Sequence, residues 1–250
     1  MEKSYFEQKS EKEYVPEENA REFLRRLSEP ITSKVPDLSF KSAPAGVFHD
    51  TMANGANIRF EWTPAEEKES IRSYEFNAKQ SEKYWATLTA FTLRSGSEEF
   101  RLDDLAPEGW SVIFRRRPIE QMGGDTRIKE KLLMIGSNIL SRKGIMELFH
   151  EAGHAHILET MTEDQQNQYL KTVIELMAQF RRHERPMSSD AVDSVLNTER
   201  NAWAFALKHI RPLVDADVIS KEDLRYFIHH VALKWYSDQM GGLIDEGLVI

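Results

Sequence analysis

The stretch from Glu147 to Glu159, ELFHEAGHAHILE, constrains the fold more than any other part of this sequence. Read as a helix, it carries apolar side chains around most of its circumference and leaves one narrow polar seam. His150, Glu151 and His154 lie on that seam. A helix of this kind is normally buried, and buried ionisable groups need a partner or a metal ion. The sequence therefore predicts a core helix that carries a polar site of its own.

The two histidines are spaced so that they can share one metal ion. Residues i and i+4 of an α-helix stand one turn apart on the same face, so the imidazoles of His150 and His154 can bind one cation together. Glu151 lies about 100° round the helix from His150, too far to be a ligand but near enough to hydrogen-bond a water on the metal. The alternative is a surface histidine pair without function. The pattern predicts a hydrolytic zinc centre in which Glu151 is the catalytic residue.

The third ligand should come from another helix, because a catalytic zinc usually has three protein ligands and one open position. In the segment 189–210, Glu199 lies at the centre of the apolar face. An unpaired carboxylate there would cost several kcal/mol, and metal coordination can offset that cost. Ala202 and Ala206 beside it are small, which would let the two helices approach closely. The alternative is that Glu199 pairs with a buried Arg or Lys.

The composition narrows the choice of metal and partner. The 250-residue chain contains no Cys, which excludes disulfides and thiolate ligands. His and carboxylate ligands remain, and they suit Zn²⁺. Asp190 and Asp193 are weaker ligand candidates, since their place near the start of a helix is explained by its dipole. A net charge of -8 argues against nucleic acid or an anionic membrane as a partner.

The predicted location is the cytoplasm. The N-terminus, MEKSYFEQKSEKEY, is charged and has no apolar run, so it does not resemble a secretory signal. No window approaches the roughly 18 apolar residues that a membrane-spanning helix needs. The sequence therefore predicts neither a membrane nor a nucleic-acid partner, and it leaves the oligomeric state open.

Capping and turn signals predict an α+β fold, with a β-containing part that holds a mixed sheet followed by a helical part. A short helix should begin at Pro16 and end by Pro30. Strands are predicted at 57–62, 84–93, 110–116 and 127–135, although 84–93 also suits a helix. Helices are predicted at 63–74, 141–160, 162–182, 189–210 and 220–240. The strand at 127–135 could pair with an extended peptide at the rim of a cleft, or be an ordinary sheet strand.

His150-Glu151-Ala152-Gly153-His154, followed by the segment 199–206 (ERNAWAFA), resembles the ImmA/IrrE-type metallopeptidases. These are gluzincin-like proteins with a HExGH helix and a later E-x-x-A-x-x-F-A segment, and the resemblance covers about residues 127–210. It implies that His150, His154 and Glu199 bind zinc and that Glu151 is the general base. It also implies a zincin-like metallopeptidase domain over 46–250, β-rich at 46–136 and helical at 137–250, preceded by a tail, short helix and linker at 1–45.

The predicted reaction is zinc-dependent hydrolysis of a peptide bond in a protein or peptide substrate. Zinc would polarise the scissile carbonyl and activate a water, while Glu151 takes the water's proton and passes it to the leaving amine. Glu147, on the same seam, is expected to support the imidazoles. An oxyanion-stabilising side chain is also needed. The candidates are His209, Tyr226, His229 and His230.

Two other interpretations stay open at this stage. The chain could be a catalytically silent regulatory or sensor protein that keeps the metal site on a metallopeptidase fold. It could also be a di-iron carboxylate protein, because Glu151-x-x-His154 is half of that signature. A di-iron site needs a second E-x-x-H motif on another helix, and the sequence has none.

Overall fold

The computed structural model describes residues 17–34, 36, 38, 45–65, 85–116, 123–181 and 189–228. This part of the chain is α+β, with one seven-stranded mixed sheet and a helical C-terminal part. The predicted class is therefore confirmed. The finer zincin-like assignment and the division of the chain at residue 46 stay predictions.

The described elements follow one another in this order. They are α1 (Glu17–Ser28), β1 (Gly46–Thr51), β2 (Asn57–Pro64), β3 (Trp85–Ser95), β4 (Glu98–Arg101), β5 (Ser111–Arg115), β6 (Gly124–Arg127), β7 (Leu132–Ile135), α2 (Arg142–Glu159), α3 (Glu163–Arg181), α4 (Ser189–Asp215) and α5 (Lys221–Phe227). A single 3-10 turn, Asp103–Leu105, lies between β4 and β5.

The strand order of the sheet is β1-β2-β3-β5-β7-β6, and β4 pairs with β3. β5 and β7 are parallel, whereas the other paired strands are antiparallel. Along β2 the side chains alternate between exposed and buried, as the sequence pattern predicts for a half-buried strand. Phe60 of β2 contacts Phe91 and Phe114 at ring distances of 5.5 and 5.2 Å. These rings belong to the same buried core as Leu148 and Ala152 of α2.

The segment 127–135 is not the single strand predicted from the sequence, because it contains the end of β6, a turn and β7. β6 and β7 pair antiparallel, with Arg127 opposite Leu132, and the chain reverses between them. Lys131 adopts a positive φ of 50° in this turn, and its N–H donates to the carbonyl of Ile128. The turn spans residues 128–131 and joins the two short strands.

Two further predictions need correction at their boundaries. β2 runs through Thr63 and Pro64, so these residues do not begin a helix; Pro64 ends the strand opposite Ala86, a place where proline is tolerated. The helix predicted to about residue 74 lies outside the described residues. α4 continues past the predicted end to Asp215 and contains Pro212. The predicted extension of the last helix to 240 also lies outside the described residues.

The helix starts predicted at residues 141, 162 and 220 are confirmed by their capping hydrogen bonds. Ser141 is the N-cap of α2, and its side chain accepts a hydrogen bond from the N–H of Gly144 at 3.0 Å. Thr162 and Gln165 form a reciprocal capping box before α3. Ser220 caps α5 in the same way as Ser141 caps α2.

α2 is buried around nearly its whole circumference, as predicted, and packs against β6, β7 and α4. α4 comes close to α2 at Gly153, where an added Cβ would overlap the backbone of Ala202. Ala202 and Ala206 are fully or almost fully buried at this contact face. The small residues therefore let α4 come close enough for its polar side chains to reach the seam of α2.

Candidate metal centre

The three predicted metal ligands meet at one point between α2 and α4. The Nε2 atoms of His150 and His154 are 3.1 Å apart, and Oε2 of Glu199 lies 3.3 Å from the first and 3.1 Å from the second. The three residues each offer a ligand atom, and these atoms lie within 4.8 Å of one another. The sequence prediction that these side chains come together is confirmed, and the cluster could hold a metal ion.

The spacing of the three atoms fits the cation that the ligand types favour. Nitrogen and oxygen ligands placed 2.0–2.1 Å from a tetrahedral zinc are separated from one another by about 3.3 Å. The separations of 3.1–3.3 Å agree with that value. Two imidazoles and one carboxylate are also a common catalytic zinc set. The geometry thus accommodates an ion of the size of zinc.

The protonation states of the three clustered side chains depend on one another. Burial opposes the ionisation of Glu199, but the charge of His154 and hydrogen bonds from both imidazoles outweigh it and hold the pKa of Glu199 well below its ordinary value. Burial likewise opposes the charge on His154, yet Glu199 raises the pKa of His154 to about 9. Burial lowers the pKa of His150. A proton on His154 therefore balances the Glu199 carboxylate, at the position where a cation would be bound.

The side chain of Glu151 points from α2 towards β6, which is the last strand in the sheet order. The hydroxyl of Thr126 donates to Oε2 of Glu151 at 2.6 Å. An added Cβ at Gly124 would overlap the Glu151 side chain, so a glycine leaves the space that the carboxylate fills. Burial raises the pKa of Glu151 to about 8; the negative charges of Asp125 and Glu199 add to this effect, and His154 and Thr126 oppose it. Glu151 is therefore a buried carboxyl group beside the cluster that keeps its proton to a higher pH than an exposed glutamate does.

His150 is held between α2 and an aromatic ring of α4. Its ring stacks on Trp203, with centroids 4.3 Å apart and an interplanar angle of 23°. Among the described residues, the buried Nδ1 of His150 has no hydrogen-bond partner. A metal-ligating histidine usually donates its second ring N–H to a carboxylate, a carbonyl or water. This histidine differs from that pattern.

Tyr169 of α3 lies within reach of the same charges. It hydrogen-bonds with Thr198, the residue before Glu199. Burial, together with the charges of Glu199 and Glu151, raises the pKa of Tyr169 above its ordinary value. The phenol therefore stays protonated and is a potential hydrogen-bond donor near the site. The sequence carries no local signal for it, because Tyr169 falls in a mainly polar part of its helix.

Several other predicted candidates have different surroundings. Glu147 pairs with Ser137 and Lys143, so it does not support the imidazoles; Lys143, one turn earlier on the helix, supplies its counter-charge. His209 contacts the carbonyl of Phe205, on the preceding turn of its own helix. Tyr226 stacks on Phe23. Asp193 is exposed, whereas His229, His230 and the side chain of Asp190 lie outside what the structure describes.

Comparison of the chain with protein-family models, with curated proteins and with solved structures gives no match. Among the described helices, none is both long enough and apolar enough to cross a membrane. The functional interpretation therefore depends on the chemistry of the residues in the cluster and around it.

Proposed function

We propose that this protein is a zinc-dependent peptidase that hydrolyses peptide bonds of a protein partner. The observation that carries the proposal is the position of Glu151, directly beside the His150–His154–Glu199 cluster. Two imidazoles and a carboxylate supply ligands. Glu151, the residue after His150, adds a further carboxyl group, whose pKa is about 8. A ligand trio with an adjacent proton acceptor is what metal-assisted hydrolysis requires.

Each side chain of the cluster has a defined task in this proposal. His150, His154 and Glu199 would hold the ion. A bound zinc ion supplies Lewis acidity, which polarises a carbonyl and makes water a stronger acid. Glu151 accepts the proton of the attacking water and delivers it to the nitrogen of the leaving amine. Thr126 keeps the Glu151 carboxylate in place through its hydrogen bond.

β6 gives the proposed site a place for an extended peptide. It is the last strand in the described order, paired on one side with β7, and its residues Gly124 and Thr126 lie against Glu151. A peptide that adds to such an edge is held by backbone hydrogen bonds, independent of most of its side chains. The peptide-binding strand suggested by the sequence would thus be β6, and not the continuous segment 127–135.

The contact from Thr126 also supports a second candidate function. A hydroxyl that already donates to Glu151 competes with a water for that carboxylate oxygen. In a metal-binding regulatory or sensor protein, this hydrogen bond would hold Glu151 in a structural role. The two functions differ in one result, because a regulatory protein tolerates the loss of the carboxylate and a peptidase does not.

The deciding experiment compares zinc-loaded wild type with Glu151→Gln on fluorescently labelled casein. Zinc content is measured by elemental analysis in both proteins and in Glu199→Ala. A peptidase gives cleavage only in the wild type, equal zinc in Glu151→Gln, and reduced zinc in Glu199→Ala. Because casein is one probe among many, the assay is repeated on a mixed peptide library analysed by mass spectrometry. Stoichiometric zinc without cleavage of either probe would favour the regulatory function.

A further inference from the structure

We infer that Trp203 is a positioning residue for His150, and that its stacked indole performs the orienting task usually performed by a hydrogen bond to the second ring nitrogen. The inference rests on the metal site of the proposed function and is independent of peptidase activity. Its basis is the combination of a close stack, 4.3 Å between centroids, with a buried Nδ1 that lacks a partner among the described residues.

The orientation of the His150 ring decides whether its Nε2 faces the cluster. A hydrogen bond at Nδ1 would fix rotation about the Cβ–Cγ bond, but none is present in the described part of the chain. A nearly parallel indole restricts the same rotation, because a turned imidazole would collide with its face. The interplanar angle of 23° shows that the two rings lie face to face. Packing on Trp203 therefore holds the imidazole in the plane in which Nε2 is directed at His154 and Glu199.

Trp203 is itself held by packing. It is 9% exposed, its ring lies 5.8 Å from that of Phe227, and its indole nitrogen is buried without a hydrogen-bond partner among the described residues. Trp203 also stands one turn after Glu199 on α4, on the same face of the helix. A single helix thus supplies both the third ligand and the ring that orients the first, and both depend on the packing of α4 against α2.

The test measures zinc affinity by competition with a chromogenic chelator in Trp203→Phe and Trp203→Leu. Trp203→Leu keeps an apolar side chain but removes the aromatic face, and we expect its affinity to fall roughly 10- to 100-fold, the range for lost support of a metal ligand. Trp203→Phe keeps a face and should stay close to wild type. Trp62→Leu is the matched control, since it removes another buried indole, on β2; it should lower the melting temperature and leave zinc affinity unchanged.

A second readout does not require Trp203→Leu to fold. Co²⁺ quenches nearby indole fluorescence, so its binding should quench one part of the emission in the wild type and in Trp85→Phe, and a much smaller part in Trp203→Phe. Equal zinc affinity in folded Trp203→Leu and wild type would overturn the inference, as would equal losses in both Trp203 variants or equal quenching in Trp203→Phe. Wild type that binds no metal overturns the inference and the proposed site together, whereas binding without cleavage affects only the peptidase proposal.

Discussion

Two buried carboxylates stand one turn apart on α2, and their surroundings differ in charge. Glu147 accepts a hydrogen bond from Ser137 and pairs with Lys143, whose Nζ is 3.6 Å away. Glu151 accepts from the hydroxyl of Thr126 and has the acidic Asp125 among its electrostatic neighbours. Burial is the largest influence raising the pKa of both. Burial alone therefore does not distinguish the two carboxyl groups; they differ in the source of the counter-charge, which is a lysine of the same helix for Glu147 and the clustered His154 for Glu151.

The largest expected effect comes from neutralising Glu151. Glu151→Gln keeps the shape of the side chain and removes the proton acceptor, so we expect turnover of labelled casein to fall roughly 100- to 10,000-fold. Zinc content should stay at the wild-type value, because Glu151 is not one of the three clustered ligands. Initial rates and elemental analysis on the same preparation measure both quantities.

Glu147→Gln is the matched control, because it makes the same chemical change one turn earlier on the same helix. It removes the carboxylate charge that faces Lys143, and the loss of a hydrogen bond to a charged group costs roughly 1.5–3 kcal/mol of unfolding free energy. Denaturant unfolding should show that loss, while the folded fraction keeps its zinc and its turnover. If folded Glu147→Gln were as inactive as Glu151→Gln, the distinction between the two carboxylates would be lost.

The next effect concerns the carboxylate that α4 supplies. Glu199→Gln removes the charged ligand, so zinc affinity should fall by more than the roughly 10- to 100-fold that loss of a supporting residue costs. Chelator competition measures the affinity, with circular dichroism to confirm the fold. Asp193→Asn is the control on the same helix, because Asp193 is exposed. Unchanged affinity in Glu199→Gln would separate this residue from the metal site.

Local periodicity was sufficient to predict the ligands but not their neighbours. His150, His154 and Glu199 are recognisable because a helix repeat assigns each to one face, and a carboxylate on an apolar face is conspicuous. Thr126 and Trp203 are not recognisable in this way. Thr126 lies in a polar strand of four residues, too short to show alternation, and Trp203 reads as one more apolar side chain. Their roles arise from pairing between distant segments, which a local pattern does not encode.

A moderate effect should follow from removing the hydroxyl of Thr126. Thr126→Val is nearly isosteric but cannot donate to Glu151, and because that hydrogen bond lowers the pKa of Glu151, its loss should raise this pKa further. The acidic limb of the activity profile would then move to higher pH, with a loss of about 10-fold or less near neutrality. Thr126→Ser retains the donor and should keep the wild-type profile. An unchanged limb in Thr126→Val would show that the hydrogen bond does not influence the base.

The smallest effect concerns the metal-free protein, in which the stability contributed by the cluster should depend on pH. The folded pKa of His154 is raised to about 9 from an ordinary value of 6.5, so its stabilising contribution is complete below pH 6.5 and is lost as the pH rises through 9. Glu199 has a lowered pKa, so its contribution is present above its ordinary value of 4.5 and is lost on acidification.

Thermal unfolding in a chelator should consequently show a melting temperature that declines from pH 6.5 to pH 9. Ionisation of the buried Glu151 adds to the decline below about pH 8, so Glu151→Gln is the background in which the contribution of His154 is measured alone. Glu199→Gln in that background should flatten the dependence of melting temperature on pH, because the Glu199 carboxylate no longer stabilises the protonated form of His154. Zinc-loaded protein should reverse the trend, since the ligands must lose their protons to bind the metal. A curve that keeps its slope in Glu199→Gln would place the titrating pair outside the cluster.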